Sequence, residues 1–419
     1  MTPSPTTITP GAHKPRFATL QWVATALLGR RDIPLANGDW LSEYVESDFD
    51  RYLDGLEKDI REARHSVLIE VYILGDDEIA VRLEAALIAA VARGVHVLLA
   101  VDGIGSGAWI ENRAPALTRH GIHVRVYHPP PWIVIGFSVP TRERLAATGH
   151  WLRYVNRRNH RKICLIDGAI AWVGSMNLVR DHSRSLAGSD AWRDVVARVT
   201  GPGTIILGRA FIAAWTHAWR MRGHRLYPSF TLERKNIPLP PDGLVRLNHG
   251  VLQRTRYYRD LLQRISLAQT RVWIANAYFV PQPSLLTALG KAAANGAEVR
   301  ILLPGRSDVW FMQYVARTFI DRLQQLGVRV LEYQPSMLHA KTMLIDDWCS
   351  VGSTNLNSRS IRHDLEADVI LIKPSSRAAL EAIFTHDLKL SLTVTDAQHR
   401  PSWWVRFVGS IILIMRRWI

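Results

Sequence analysis

The chain alternates short, almost wholly apolar runs with longer stretches in which apolar residues recur every three or four positions. Val67-Leu68-Ile69-Glu70-Val71-Tyr72-Ile73 is a run of the first kind and predicts a buried strand. Asn37 to Ala63 is of the second kind, with Trp40, Tyr44, Phe49, Leu53, Leu56 and Ile60 at helical intervals, and predicts a helix. A helix over Ala80 to Ala92 stopping at Gly94, a strand over Val95 to Val101, a helix-like segment near Leu117 and a strand over Val124 to Tyr127 complete this series. The order then returns: helix Tyr257 to Ala268, strand Val272 to Phe279, helix Leu285 to Ala294, strand Val299 to Leu303, helix Phe311 to Leu326 and strand Val328 to Tyr333. Strands alternating with helices imply parallel pairing, with helices covering the sheet faces. A repeat distance of about 180 residues means a duplicated domain and not a solenoid. The expected fold class is α/β: two repeats related by a pseudo-two-fold axis, each a mostly parallel mixed β-sheet flanked by helices, sharing one active site.

Each series runs into the same string. His160, Lys162 and Asp167 stand in the spacing H-x-K-x-x-x-x-D, followed by Gly174-Ser175-Met176-Asn177; His339, Lys341 and Asp346 repeat it, followed by Gly352-Ser353-Thr354-Asn355. Residues two apart on a strand share a face, so His160 and Lys162 project into one space, as do His339 and Lys341. Asp167-Gly168 is a turn signal that makes Ile163 to Ile166 and Ile170 to Val173 a hairpin, returning Ser175 and Asn177 to the mouth of the site. The corresponding link is one residue shorter after Asp346, so the second hairpin is expected to be tighter.

If the halves meet about a pseudo-two-fold axis, two histidines, two lysines and two asparagines converge on one pocket. Two lysines buried together require an anion, and a phosphodiester supplies it. Ser175, Asn177, Ser353 and Asn355 offer hydroxyl and amide donors suited to phosphate oxygens. One imidazole then attacks phosphorus while the other protonates the leaving alcohol and later deprotonates the incoming hydroxyl, the pair titrating as a coupled unit. The lysines hold the oxygens as charge builds, and no metal or cofactor is expected. Each histidine should be oriented through its other ring nitrogen by a carboxylate: Asp194 behind His160 and Glu366 behind His339.

Composition narrows the substrate. The net charge of +15 points to an anionic partner, nucleic acid or acidic lipid. The segment Trp403 to Trp418 is nearly all apolar, flanked by tryptophans and arginines, and fits an interfacial helix better than a span. Pro129 to Phe137, leading into Arg142, Arg144, Arg153, Arg157 and Arg158, is either a packed loop with a solvated basic flank or an apolar tip dipping into lipid. Residues 1–15 lack the pattern of a secretory signal, Phe17 to Leu28 suits a short amphipathic helix, and Pro238 to Pro241 suits a link between halves. Cys164 and Cys349 lie on apolar strands and are expected to be buried thiols in a reducing compartment. The division expected is an extension over 1–36, repeats over 37–229 and 230–392, and a membrane-surface tail over 393–419.

The doubled motif resembles that of the phospholipase D superfamily, and the likeness extends from about Asn37 to Leu390. Within it, Ile69 to Leu74, Ala100 to Ser106, Gly352 to Asn357 and Asp364 to Ala367 are similar to bacterial cardiolipin synthases of the short, B-type. The resemblance implies His160 as nucleophile and His339 as acid/base. It also implies transfer of a phosphatidyl group between phosphatidylglycerol molecules, or from another phospholipid, to give cardiolipin on the cytoplasmic face of a bacterial inner membrane. The expected partners are anionic phospholipids and the membrane surface, not nucleic acid. Hydrolysis by the same chemistry, as in a phospholipase or nuclease, is the alternative.

Overall fold

A computed structural model describes residues 39–136, 156–227, 243–309 and 311–394. The expectations for residues 1–36, Phe17 to Leu28, Arg142, Arg144, Arg153, Pro238 to Pro241 and Trp403 to Trp418 fall outside these. In the first half, β1 (Ser42–Glu46), β2 (Ser66–Val71), β3 (His96–Asp102), β4 (His123–Tyr127), β5 (Ile163–Ile166), β6 (Ile170–Gly174), β7 (Val196–Thr200), β8 (Trp219–Arg222) and β9 (Arg225–Tyr227) make one sheet in the order β1-β7-β6-β5-β2-β3-β4-β8-β9. In the second, β10 (Val245–Leu247), β11 (Arg271–Asn276), β12 (Glu298–Pro304), β13 (Arg329–Tyr333), β14 (Lys341–Ile345), β15 (Trp348–Gly352), β16 (Ala367–Leu371) and β17 (Ser391–Thr393) follow the order β10-β16-β15-β14-β11-β12-β13-β17. Apart from β9, the two sheets correspond strand for strand. Both are mixed, but not mostly parallel as expected: β2-β3-β4 and β11-β12-β13 pair in parallel, and the remaining ladders, built on hairpins and edge strands, are antiparallel.

Both faces of each sheet are covered, which is why the strands read as continuous apolar runs. Val67, Ile69 and Val71 of β2 face an outer core, packed by the helices Phe49–Glu62 and Glu78–Ala92. Val272, Ile274 and Met343 face its counterpart in the second half. Between the halves, Leu68, Leu98 and Leu165 meet Leu302, Leu344 and Val351 in a shared core. The two sheets therefore form one folded body and hold their equivalent strand ends together.

Two elements differ from expectation. The stretch from Asn37 is not one helix: β1 pairs antiparallel with β7, and the helix begins at Phe49, where the Asp48 side chain caps the Arg51 N–H at 3.1 Å. Trp40 and Tyr44 match a helical interval, but edge pairing to β7 satisfies more backbone groups. Phe311 to Leu326 is two helices, Met312–Arg317 and Ile320–Gln325, because Thr318 and Phe319 bond back three residues, to Val315 and Ala316, tightening the turn between them. The apolar segment after Pro130 forms the short helix Pro131–Gly136, whose Ile133 and Val134 are buried while Trp132 is exposed.

The glycines of the repeated motif have a packing reason. A Cβ on Gly174 would lie 2.6 Å from Val196 Cα, and one on Gly352 2.6 Å from Asp368 Cα, both fixed backbone of the neighbouring strand. Gly174→Ala should therefore destabilise the fold by about 1–3 kcal/mol, as overpacking does. A denaturant titration with an unchanged midpoint would contradict this.

Candidate active site

The histidine segments lie where the two halves cross. Asn159 bridges in parallel to Leu365 of the second half, and Leu338 bridges in the same way to Arg193 of the first. The His160 N–H donates to the Leu365 carbonyl at 3.0 Å, and the His339 N–H donates to the Arg193 carbonyl at 2.8 Å. Each motif is thus stitched, one residue before its histidine, to the segment carrying the other half's acid.

That stitching reverses the expected partners. His160 Nδ1 lies 3.0 Å from both carboxylate oxygens of Glu366, and His339 Nδ1 lies 2.7 Å from Asp194 Oδ2. Asp194 does not stand behind His160, nor Glu366 behind His339; each acid orients the histidine of the opposite repeat. With Nδ1–H donated to the carboxylate, Nε2 is left as the reactive nitrogen on both rings. The crossing makes the site inseparable from the pairing of the halves.

The lysines fold back on the same segments: Lys162 Nζ donates to the His160 carbonyl at 2.8 Å, and Lys341 Nζ bonds the His339 carbonyl. Burial, with the neighbouring Lys341 ammonium, lowers the Lys162 pKa to about 7; burial lowers that of Lys341 to about 8. Burial and the two lysines depress both histidines, His339 to about 3. Burial raises Glu366 to about 7, whereas His339 and Lys341 override burial at Asp194 and hold it well below the usual range. A bound phosphate anion would favour the charged lysines and raise their pKa. Binding of an inorganic phosphate analogue near pH 8 should therefore take up protons onto the lysines, and this share of the uptake should vanish near pH 6, where the ammonium groups are already protonated. Calorimetry in buffers of different ionisation enthalpy reads this directly; no uptake at pH 8 would contradict it.

The serines and asparagines divide. The sequence places Ser175 and Ser353 against phosphate, but in the structure their hydroxyls bond Asp194 and Glu366. Their backbone N–H groups are also engaged, by the Val195 and Ala367 carbonyls. They brace the carboxylates. Asn177 Oδ1 accepts from the Ile73 N–H at 3.3 Å, leaving its buried Nδ2 without a partner, and the Asn355 Oδ1 position is likewise buried and unpartnered. These amides retain capacity for a ligand.

Asp167 and Asp346 do not belong with the reacting groups. Both have positive φ, at 52° and 50°, and sit in the turns at the far end of the hairpin from the histidines. Asp167 accepts from the N–H groups of Arg64, His65 and Ser66, and Asp346 from those of Gln269, Thr270 and Arg271. Each clamps the chain entering β2 or β11. The shorter second link is absorbed in the turn: Ile166 pairs Ile170 across three residues and Ile345 pairs Trp348 across two. The registers Ile163↔Val173 and Thr342↔Val351 place Gly174 level with Lys162 and Gly352 level with Lys341. Ser353 and Asn355 are therefore not displaced.

Other contributors had no motif to mark them. The Tyr72 ring lies 4.9 Å from that of His160, and Tyr278 lies 6.3 Å from His339. The Ser360 hydroxyl donates to Glu366 Oε1 at 2.6 Å. Asp102 takes the Asn159 N–H at 2.9 Å, and Glu70 takes the Asn159 amide at 2.6 Å. The acid inside the apolar run around Glu70 was the one available signal. His182, Asp194 and His339 bring possible metal ligands within 4.8 Å. However, His182 Nε2 accepts the Asn177 N–H, so its Nδ1 carries hydrogen toward Asp194, 3.6 Å away. Of the two rings, only His339 hydrogen-bonds this carboxylate; the buried His182 Nδ1, at 3.6 Å, falls short of a hydrogen bond.

Comparison with known proteins gives the family and the fold. The family described as "Cardiolipin synthase, PLD-like domain" matches twice, over residues 56–186 and 261–388, one match per half and together more than half the chain. Cardiolipin synthase from Geobacillus sp. (strain WCH70) is 31% identical over 365 residues, covering 86% of this chain and 68% of that protein. Cardiolipin synthase B from Escherichia coli (strain K12) is 32% identical over 332 residues, covering 77% and 74% respectively. Among solved structures, phosphatidylserine synthase from Haemophilus influenzae Rd KW20 superposes with a TM-score of 0.63 at 12% identity, covering 93% of this chain and 98% of that one, which speaks for the fold. Two matching halves, one doubled motif and one crossed site make the chain a member of the phospholipase D superfamily in its cardiolipin synthase group, and thereby a phosphatidyltransferase of that superfamily.

Proposed function

We propose that the chain makes cardiolipin by joining two phosphatidylglycerol molecules, or phosphatidylglycerol and another phospholipid, through a covalent phosphohistidine. His160 Nε2 attacks phosphorus, forming an N–P bond as the bond to the leaving glycerol breaks, and His339, protonated at Nε2 once the phosphate anion offsets the lysines that depress it, gives that oxygen its proton. His339 then takes the proton of the incoming hydroxyl, whose oxygen displaces His160. Glu366 steadies the charge on His160, and Asp194 that on His339. Lys162, Lys341, Asn177 and Asn355 hold the phosphoryl oxygens, where charge develops. The observation that carries this reading is the reciprocal pairing of each histidine with the other half's acid around two close lysines.

Under the same reading the repeats span 37–229 and 230–394, since Thr393 pairs in β17 and Val394 is buried in the second core rather than belonging to a tail that starts at 393, and the protein works on the cytoplasmic face of the membrane, with the segment 395–419 at the lipid surface. Among the described residues no helix is long and apolar enough to cross a membrane. The test is mass spectrometry of lipids after incubation with labelled phosphatidylglycerol vesicles, with and without phosphatidylethanolamine. Labelled cardiolipin is expected. Phosphatidic acid alone would mean hydrolysis, and nicked DNA without lipid product would mean a nuclease; either overturns the proposal.

A further inference from the structure

The two tyrosines flank the pocket alike, but their surroundings differ. Tyr72 lies near Arg359 and Asp364, whose opposite charges pair with each other. On the other flank the Tyr278 hydroxyl reaches both oxygens of Asp308, at 2.6 and 2.7 Å, and Asp308 is itself exposed. The Tyr278 ring lies beside both the His339 ring and the Lys341 ammonium, 6.0 Å from Lys341 Nζ. The Ser307 hydroxyl also reaches Asp308 Oδ1, at 3.4 Å, and two hydroxyl hydrogens do not saturate a carboxylate, which has about four lone-pair sites. An acceptor group therefore stands open on the His339 side.

We propose that Asp308, held by Tyr278, is the alcohol subsite: it accepts a hydrogen bond from a donor one carbon away from the reacting hydroxyl. The class of alcohol it selects is the vicinal diol, as in a glycerol head group, or the 2-amino alcohol. This rests on His160 being the nucleophile, since in-line displacement places the leaving and entering oxygens opposite His160, against His339. A site that hydrogen-bonds a substrate hydroxyl discriminates strongly against the analogue lacking it.

The experiment is an internal competition, in which the enzyme with phosphatidylglycerol vesicles is given equal 1,2-propanediol and 1-propanol. The ratio of the two phosphatidyl products is independent of enzyme amount and folding yield. The wild type should favour the diol at least about tenfold, and Asp308→Ala should bring the ratio to within about threefold of unity. Ethanolamine against 1-propanol should respond in the same direction, and there Asp308→Asn should lose most of the preference because the negative charge is gone. A diol ratio equal in wild type and Asp308→Ala would overturn the proposal. Trapping the phosphoenzyme in the same samples separates the two ideas: no adduct in wild type sinks the phosphohistidine route whatever the ratio shows.

Discussion

His160→Ala should lose phosphatidyl transfer by on the order of 10⁴-fold or more, because the intermediate has no atom on which to form. The loss should come with a folded protein. His160 is buried at the crossing, but the backbone bond to Leu365 that stitches the halves remains available to alanine. Truncation opens a small space and leaves Glu366 with the Ser353 and Ser360 hydroxyls. Circular dichroism and a melting curve close to wild type, with activity at background, are the expected pair of results. Normal product from this variant would remove the mechanism altogether.

The crossed carboxylates give the second large effect, and it has a direction that same-half pairing would reverse. Glu366→Gln removes the charge behind His160, so formation of the phosphoenzyme slows by roughly 10⁴-fold, comparable to the loss when an orienting acid is neutralised in a catalytic triad. Asp194→Asn removes the charge behind His339, which serves the leaving and entering oxygens. With a phosphatidyl donor whose leaving group needs no protonation, such as a nitrophenyl ester, Asp194→Asn should still form the phosphoenzyme and then accumulate it. Glu366→Gln should not. Rapid-quench measurement of adduct against time separates the two, and accumulation in Glu366→Gln would contradict the crossing seen at 3.0 and 2.7 Å.

Much of this was legible in the sequence, for physical reasons. A strand covered on both faces must be apolar throughout, so β2, β3, β11 and β12 stood out. A hairpin whose turn needs positive φ advertises itself through Asp167-Gly168. The duplicated motif implied one shared pocket, because two lysines so close are tolerable only around an anion. What stayed hidden was long-range. Which acid meets which histidine is decided by the parallel bridges at Leu338 and Leu365, and nothing local to residues 194 or 366 encodes that choice. The motif aspartates show that repetition in a sequence need not mean chemistry. Asp167 and Asp346 recur since each half needs the same backbone clamp at its hairpin turn. Ser175 and Ser353 likewise recur to brace the acids. Tyr278 and Asp308 come together from segments about 30 residues apart, at ordinary turn positions, with no spacing to reveal them.

The most direct measurement is the location of the covalent intermediate. The enzyme, mixed with a nitrophenyl-type phosphatidyl donor and quenched in base to spare the N–P bond, is digested and its peptides are mapped by mass spectrometry. The account predicts the phosphatidyl group on the peptide carrying His160, absent from His160→Ala and enriched in Asp194→Asn. An adduct on His339, or catalytic turnover with no adduct on either histidine, would contradict it.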